Sequence, residues 1–281
     1  MISLVRRHPV IFYVVVAFAW TWTYVIVFLI AFPIPDNPVR TTPGDLGPTI
    51  GALVVTGVVA GRAGVAALLK QVIKWRVGIV WYAIALVGLP LAYISSMALV
   101  PGAVGSYTPF SFSDLALLPV LYVFLGITGG PLTEEPGWRG FALPRLQRGR
   151  GPLVGTVIVG LMWAAWHLPN YFRPDWASVN GGFSLSGVAV FATVAVTFSV
   201  LITWVYNRTG GSVLMAVLLH ASLNFSQGLT AQIFPAAKDN EVAPVAMLVV
   251  MALVVIVATR GRLGYPSTEV APDAAPAYTT P

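Results

Sequence analysis

The sequence predicts an all-α membrane protein that crosses the bilayer about eight times, with both termini in the cytoplasm. Three observations predict it: an oily composition, long unbroken apolar runs, and a lopsided placement of basic residues. The chain is 57% hydrophobic and 9% charged, with a mean hydropathy of +0.81. A soluble domain carries about 25% charged residues, and a water-exposed chain this oily would display large apolar patches. Apolar runs cover roughly 10–32, 46–60, 79–100, 115–130, 152–169, 184–206, 211–229 and 243–259. Lipid offers the backbone no hydrogen-bond partners, so such runs must be helices. A β-barrel needs strands of about ten residues that alternate apolar with polar, and these runs do not alternate. With the N-terminus inside, all 16 Lys and Arg residues fall on the inner face except Arg40, Arg173 and Lys238. Asp36, Asp45, Asp114, Asp175, Asp239 and Glu241 fall outside. This is the asymmetry that membrane topology demands.

The elements follow in order. Arg6 and Arg7 precede the first run, which is too long for the core of a cleavable signal and lacks a small-residue cleavage site, so it reads as a span. The second run ends on Gly57 and Gly61, a spacing that lets helices approach closely. The stretch from Arg62 to Arg76 is basic. It reads either as an inner loop or as an amphipathic helix on the inner leaflet. The remaining runs are spans joined by short loops, which makes residues 1–263 one transmembrane domain. Residues 264–281 are rich in Pro, Ala and Thr and are expected to be a disordered tail. The chain has no cysteine, which excludes disulfides, a thiolate nucleophile and Cys-ligated metals. Its net charge of +6 is accounted for by topology, and no nucleic-acid module is present, so no nucleic-acid partner is expected.

Ionisable residues inside such a chain are functional candidates, because burying them is costly. The densest group is Thr133-Glu134-Glu135-Pro136-Gly137-Trp138-Arg139-Gly140. On a helix Glu135 and Arg139 share a face at i and i+4 and can pair, which leaves Glu134 free to face elsewhere. Thr133 is expected to cap this helix, with Pro136 in its first turn. His167 closes the run Trp163-Ala164-Ala165-Trp166-His167, with Trp163 one turn behind it. His220 and Asn224 lie one turn apart on another helix face. Each feature also has a plain structural reading: a solvated ion pair, an interfacial aromatic belt, or polar side chains that hold helices together. Taken together they fit hydrolysis. A carboxylate can act as general base toward water with an imidazole sharing the task, while a second imidazole and a carboxamide donate to a developing oxyanion. Two His and a carboxylate are also a familiar zinc set.

The order Glu134-Glu135-x-x-x-Arg139, then aromatic-x-x-x-His167, then His220-x-x-x-Asn224 resembles the three-motif pattern of the CPBP family. That family comprises type II CAAX prenyl endopeptidases and bacterial relatives that include bacteriocin-immunity proteins. The resemblance covers roughly residues 115–230. It implies that Glu134, aided by His167, activates water, that Glu135 pairs with Arg139 to position the site, and that His220 and Asn224 stabilise the oxyanion. Trp138 and Trp163 stand where the family commonly has Phe. The resemblance leaves the cofactor open between no metal and a divalent ion such as zinc on Glu134, His167 and His220. The expected partners are the lipid bilayer and a peptide or protein substrate, with or without a lipid, and the Gly/Ala/Val-rich composition points to a bacterial plasma membrane. A non-catalytic immunity or scaffold protein of the same family is the alternative. A small transporter with a Glu/His proton relay is a third reading, but the internal symmetry it calls for is absent. One expectation is decisive for the site. Glu134 must meet His167 and His220 within the membrane, so either the fourth helix continues through Gly129-Gly130 to about Leu146, which is the favoured expectation, or the helices tilt and break.

Overall fold

The computed structural model describes residues 2–266, so most of the tail expected to be disordered lies outside the described residues. The described chain is helical, as the apolar runs require. We number its long helices α1 Pro9–Ala31, α2 Gly47–Val72, α3 Ile79–Ala98, α4 Phe112–Thr128, α5 Pro131–Arg150, α6 Pro152–Trp166, α7 Leu185–Arg208, α8 Val213–Ile233 and α9 Val242–Ala258. Six stretches, built on α1, α2, α3, α6, α7 and α8, are long and apolar enough to cross a membrane. The pair α4 and α5, bent by 43° at its junction, makes a seventh candidate. Helix α9 is apolar but shorter, so the expected eight is reached only when both the bent pair and α9 are counted.

Prolines shape these helices in a repeated way. A proline inside a helix lacks the N–H and pushes away the carbonyl four residues before it. Three stretches have wide, π-type turns: Val25–Ala31, Ile84–Gly88 and Trp138–Ala142. The first closes α1 just before Pro33, and the other two precede Pro90 and Pro144 inside their helices, where the carbonyl four residues before the proline, that of Leu86 or Gly140, falls inside the wide stretch. The third case matters most, because such turns inside helices often sit at functional sites and this one carries Arg139.

Helix α2 continues past the run predicted for it. It kinks at Gly61 (φ 62°, ψ −159°) and goes on to Val72, so the basic stretch after Gly61 is helical. Leu68 is buried there, while Leu69, Ile73 and Trp75 are exposed.

Helix α5 is the centre of the bundle. Every residue from Thr133 to Leu143 is buried, and Trp138, Arg139 and Phe141 are among the largest fully buried side chains. A helix that is enclosed on all sides must meet its neighbours closely. A Cβ on Gly137 would collide with the backbone of Pro48 in α2. Tyr13 of α1 packs on Trp138 and Phe141, with ring centroids 5.6 and 5.0 Å apart.

The junction before α5 is held by side chains. Gly130 takes φ 102°, a conformation that glycine adopts without steric cost, and Pro131 occupies the first helical turn. The Thr42 hydroxyl donates to the Thr128 carbonyl (3.1 Å), and that of Thr49 donates to the Thr133 carbonyl (2.6 Å). Thr133 does not cap the helix as expected. The helix starts two residues earlier, and the Thr133 hydroxyl donates back to the Gly130 carbonyl (2.8 Å).

Candidate active site

The fourth helix does not run on through Gly129-Gly130 as favoured from sequence: α4 ends at Thr128, the chain bends by 43°, and α5 starts at Pro131 and carries Glu134 into the bundle. Glu134 and Glu135 are 4% and 0% exposed, and His167 and His220 are 8% and 4% exposed. Buried charges in such a place must be paired or functional, and the two carboxylates divide along that line.

Glu135 is the paired one. Its Oε1 accepts from Arg139 Nη1 at 3.0 Å and from His220 Nδ1 at 2.8 Å. Arg139 Nη2 donates to the Ser199 hydroxyl of α7 at 2.9 Å. The network thus ties α5 to α7 and α8. The i, i+4 pairing expected within α5 is formed, and His220 and Ser199 are its long-range members. Glu135 Oε2 and Arg139 Nε are buried without a hydrogen-bond partner.

Glu134 has no cation bonded to it among the described residues. Its Oε2 accepts the indole N–H of Trp163 at 2.7 Å. Trp163 also connects the histidines. Its backbone carbonyl lies 2.9 Å from His167 Nδ1. A carbonyl only accepts, so Nδ1 carries the proton and, in the neutral ring, Nε2 carries the lone pair. The Trp163 ring meets the His220 ring edge-on at 5.1 Å, and the Arg139 guanidinium lies 5.2 Å from its centroid. His167 is further enclosed by Trp166 (4.7 Å), Phe191 (4.9 Å) and Trp176 (5.8 Å).

Asn224 joins from α8. Its amide nitrogen donates to the Gly129 carbonyl at 3.1 Å, which leaves the second amide hydrogen for another acceptor. Tyr122 strengthens the same contact, donating to the Leu218 carbonyl at 2.7 Å. Helix α4 is otherwise largely exposed, and Tyr122 adds an edge-on ring contact to Phe225 of α8 at 5.5 Å.

The six expected residues therefore surround one buried region. The expected metal set is not gathered there. Among the described residues no three His, Asp or Glu side chains stand close enough to share an ion, and His220 turns its Nδ1 to Glu135 instead. As arranged, the described residues do not fit an ion. Two contributors were not singled out from sequence. Ser199 is a small polar residue in an otherwise apolar run. From sequence Trp163 is an aromatic one turn before His167 that stands in place of a common Phe, and nothing local in the sequence points its indole N–H to a partner 29 residues away in the chain.

This geometry occupies one continuous piece of the chain from α4 to the first half of α8. Residues 116–226 match the family described as type II CAAX prenyl endopeptidase, Rce1-like. Through this segment the chain is similar to the CPBP/CAAX protease family. A curated relative named CAAX prenyl protease 2, from Methanococcus maripaludis, is 26% identical over 165 residues. That match covers 54% of this chain and 56% of the relative, so it spans little more than half of each. All of Glu134, Glu135, Arg139, Trp163, His167, Ser199, His220 and Asn224 lie within the matched segment. Helices α1 and α2 lie outside it, yet they enclose α5.

Proposed function

We propose that this chain is an intramembrane endopeptidase that hydrolyses a peptide bond of a membrane-associated substrate with water activated by Glu134. The observation that carries the reading is the division of labour between adjacent carboxylates. Arg139 is spent on Glu135, which leaves Glu134 buried in the bundle, bonded to the Trp163 indole that also contacts both imidazoles, with no cation bonded to it. A purely structural carboxylate would be expected to take the cation.

The chemistry follows from the donors. Glu134 accepts a proton from water as the water oxygen attacks the scissile carbonyl carbon. His167, with Nδ1–H held by the Trp163 carbonyl, has Nε2 available to share the base role. The carbonyl oxygen becomes an oxyanion. The spare Asn224 amide hydrogen is one donor to it. His220 is a second when its ring carries both protons. The C–N bond then breaks, and the proton taken from water passes to the departing amine. The name of the relative, a CAAX prenyl protease, supports including lipidated C-terminal tails among the substrates to be tried. The same reading places the protein in the plasma membrane.

The test is cleavage in proteoliposomes of a peptide panel, prenylated and unmodified. The wild type is compared with Glu134→Ala and His220→Ala, each with and without a chelator. The reading expects cleavage by the wild type, loss in both variants with folding intact, and no effect of the chelator. Cleavage that survived both substitutions would refute the site assignment. A wild type inactive across the panel would favour a non-catalytic role.

A further inference from the structure

Of the indoles in the buried centre, Trp138 and Trp166 have N–H groups with no hydrogen-bond partner. Trp163 is also buried, at 5% exposure, but its N–H is bonded, and to a carboxylate, at 2.7 Å. Burying an unpaired N–H is costly, so a phenyl ring would serve better at a site that needed only apolar volume. The other side of the Glu134 carboxylate is also fixed. A Cβ placed on Gly130 would run into Glu134 Oε1. One carboxylate oxygen is thus held by the indole and the other lies against a residue with no side chain. The same Trp163 presents its carbonyl to His167 Nδ1 (2.9 Å) and its ring to His220 (5.1 Å).

We propose that Trp163 is a positioning residue for Glu134 and His167. Its N–H anchors Glu134 Oε2, so that Oε1 is the oxygen offered to water. Its carbonyl anchors the His167 ring, so that Nε2 turns to the same space. This rests on the endopeptidase reading. It goes beyond that reading because it assigns a role to the indole nitrogen, which the phenyl group common in the family lacks.

Two measurements test it. The first uses ¹⁵N-indole-labelled protein in nanodiscs and needs no substrate. The Trp163 indole N–H signal, identified by its loss in Trp163→Phe, should move upfield in Glu134→Ala. The Trp20 signal, whose N–H donates to the Pro43 carbonyl at 2.7 Å, should stay in place. The second is a kinetic split. Displacing a reacting group by about 1 Å costs about 100-fold, so Trp163→Phe should lower kcat about 10- to 100-fold with KM nearly unchanged. An unmoved Trp163 signal overturns the contact, whatever the activity. A shifted signal with full kcat in Trp163→Phe overturns the positioning role. A wild type that cleaves nothing overturns the hydrolase reading and this role with it, and the spectra still decide the contact.

Discussion

The Glu135 carboxylate and the Arg139 guanidinium meet at 3.0 Å with neither side chain exposed at all. A pair so enclosed is not a surface ornament. Removing one partner leaves a buried charge unpaired, which costs about 3–5 kcal/mol. Arg139→Met and Glu135→Gln should each lower the unfolding midpoint in mild detergent strongly. The double variant should be less destabilised than the two losses summed, because no orphaned charge remains. Additive losses in this double-mutant cycle would show that the pair is not coupled.

Glu134→Gln removes the base but keeps the side-chain shape and an oxygen that can accept from Trp163. General-base catalysis contributes about 10²–10⁴-fold, so hydrolysis should fall by that factor while the unfolding midpoint stays near wild type. Single-turnover cleavage rates in proteoliposomes read it directly.

Asn224→Ala should act on both structure and rate. It frees the Gly129 carbonyl at the bend and removes one donor for the oxyanion. Loss of such a donor costs about 10²–10³-fold in kcat. A fall of this size in kcat, with the α4–α5 junction more open to hydrogen exchange, is the expected outcome.

Gly130→Ala combines two penalties. The φ of 102° strains any residue with a side chain, at about 1–3 kcal/mol, and the new methyl group meets Glu134 Oε1. Stability and kcat should therefore fall together. Gly57 is the contrast. It lies within α2 with nothing near its missing Cβ, so Gly57→Ala should leave the unfolding midpoint unchanged or slightly raised.

Acid should weaken the loop clamp outside the spans. Burial pushes the Asp175 carboxyl up, but the hydrogen bonds and charges of Arg173 and Arg40 more than reverse this and hold it at about 2. Arg40 Nη2 reaches it at 2.9 Å. A carboxyl depressed in the folded state adds stability that is complete above its ordinary value of about 3.9 and is lost as pH falls toward the folded value. Between about pH 4 and 2 the wild type should lose its advantage over Asp175→Asn, as read by unfolding midpoints across that range. High salt should shrink the difference at neutral pH, because Asp175 is partly exposed.

Much of the site was legible because its signals are local. Glu135 and Arg139 are one helical turn apart, as are His220 and Asn224, and a scarce charge in an apolar run is conspicuous. The depth of Glu134 was harder to read. It depended on whether the chain stays helical past Gly129-Gly130, and the glycines alone do not say. The helix does resume there, with Gly130 at positive φ and Pro131 in its first turn. The hydroxyls of Thr42 and Thr49, far away in sequence, tie down the junction. Thr133 was misjudged as a cap for a related reason, since the helix begins at Pro131 and makes the Thr133 hydroxyl an interior donor.

By itself the sequence determined that the protein is an all-helical membrane protein, roughly where each helix runs, and which few polar residues its oily interior must accommodate. These follow from composition and periodicity, because lipid forces the backbone to satisfy itself within each helix. Only the tertiary structure decided how those polar residues are shared. It gave Arg139 and His220 to Glu135, the indole of Trp163 to Glu134, and Ser199 to Arg139. Such pairings are set by which helix faces meet, and by how the wide turn ahead of Pro144 and the bend at Gly130 aim α5 at α6, α7 and α8.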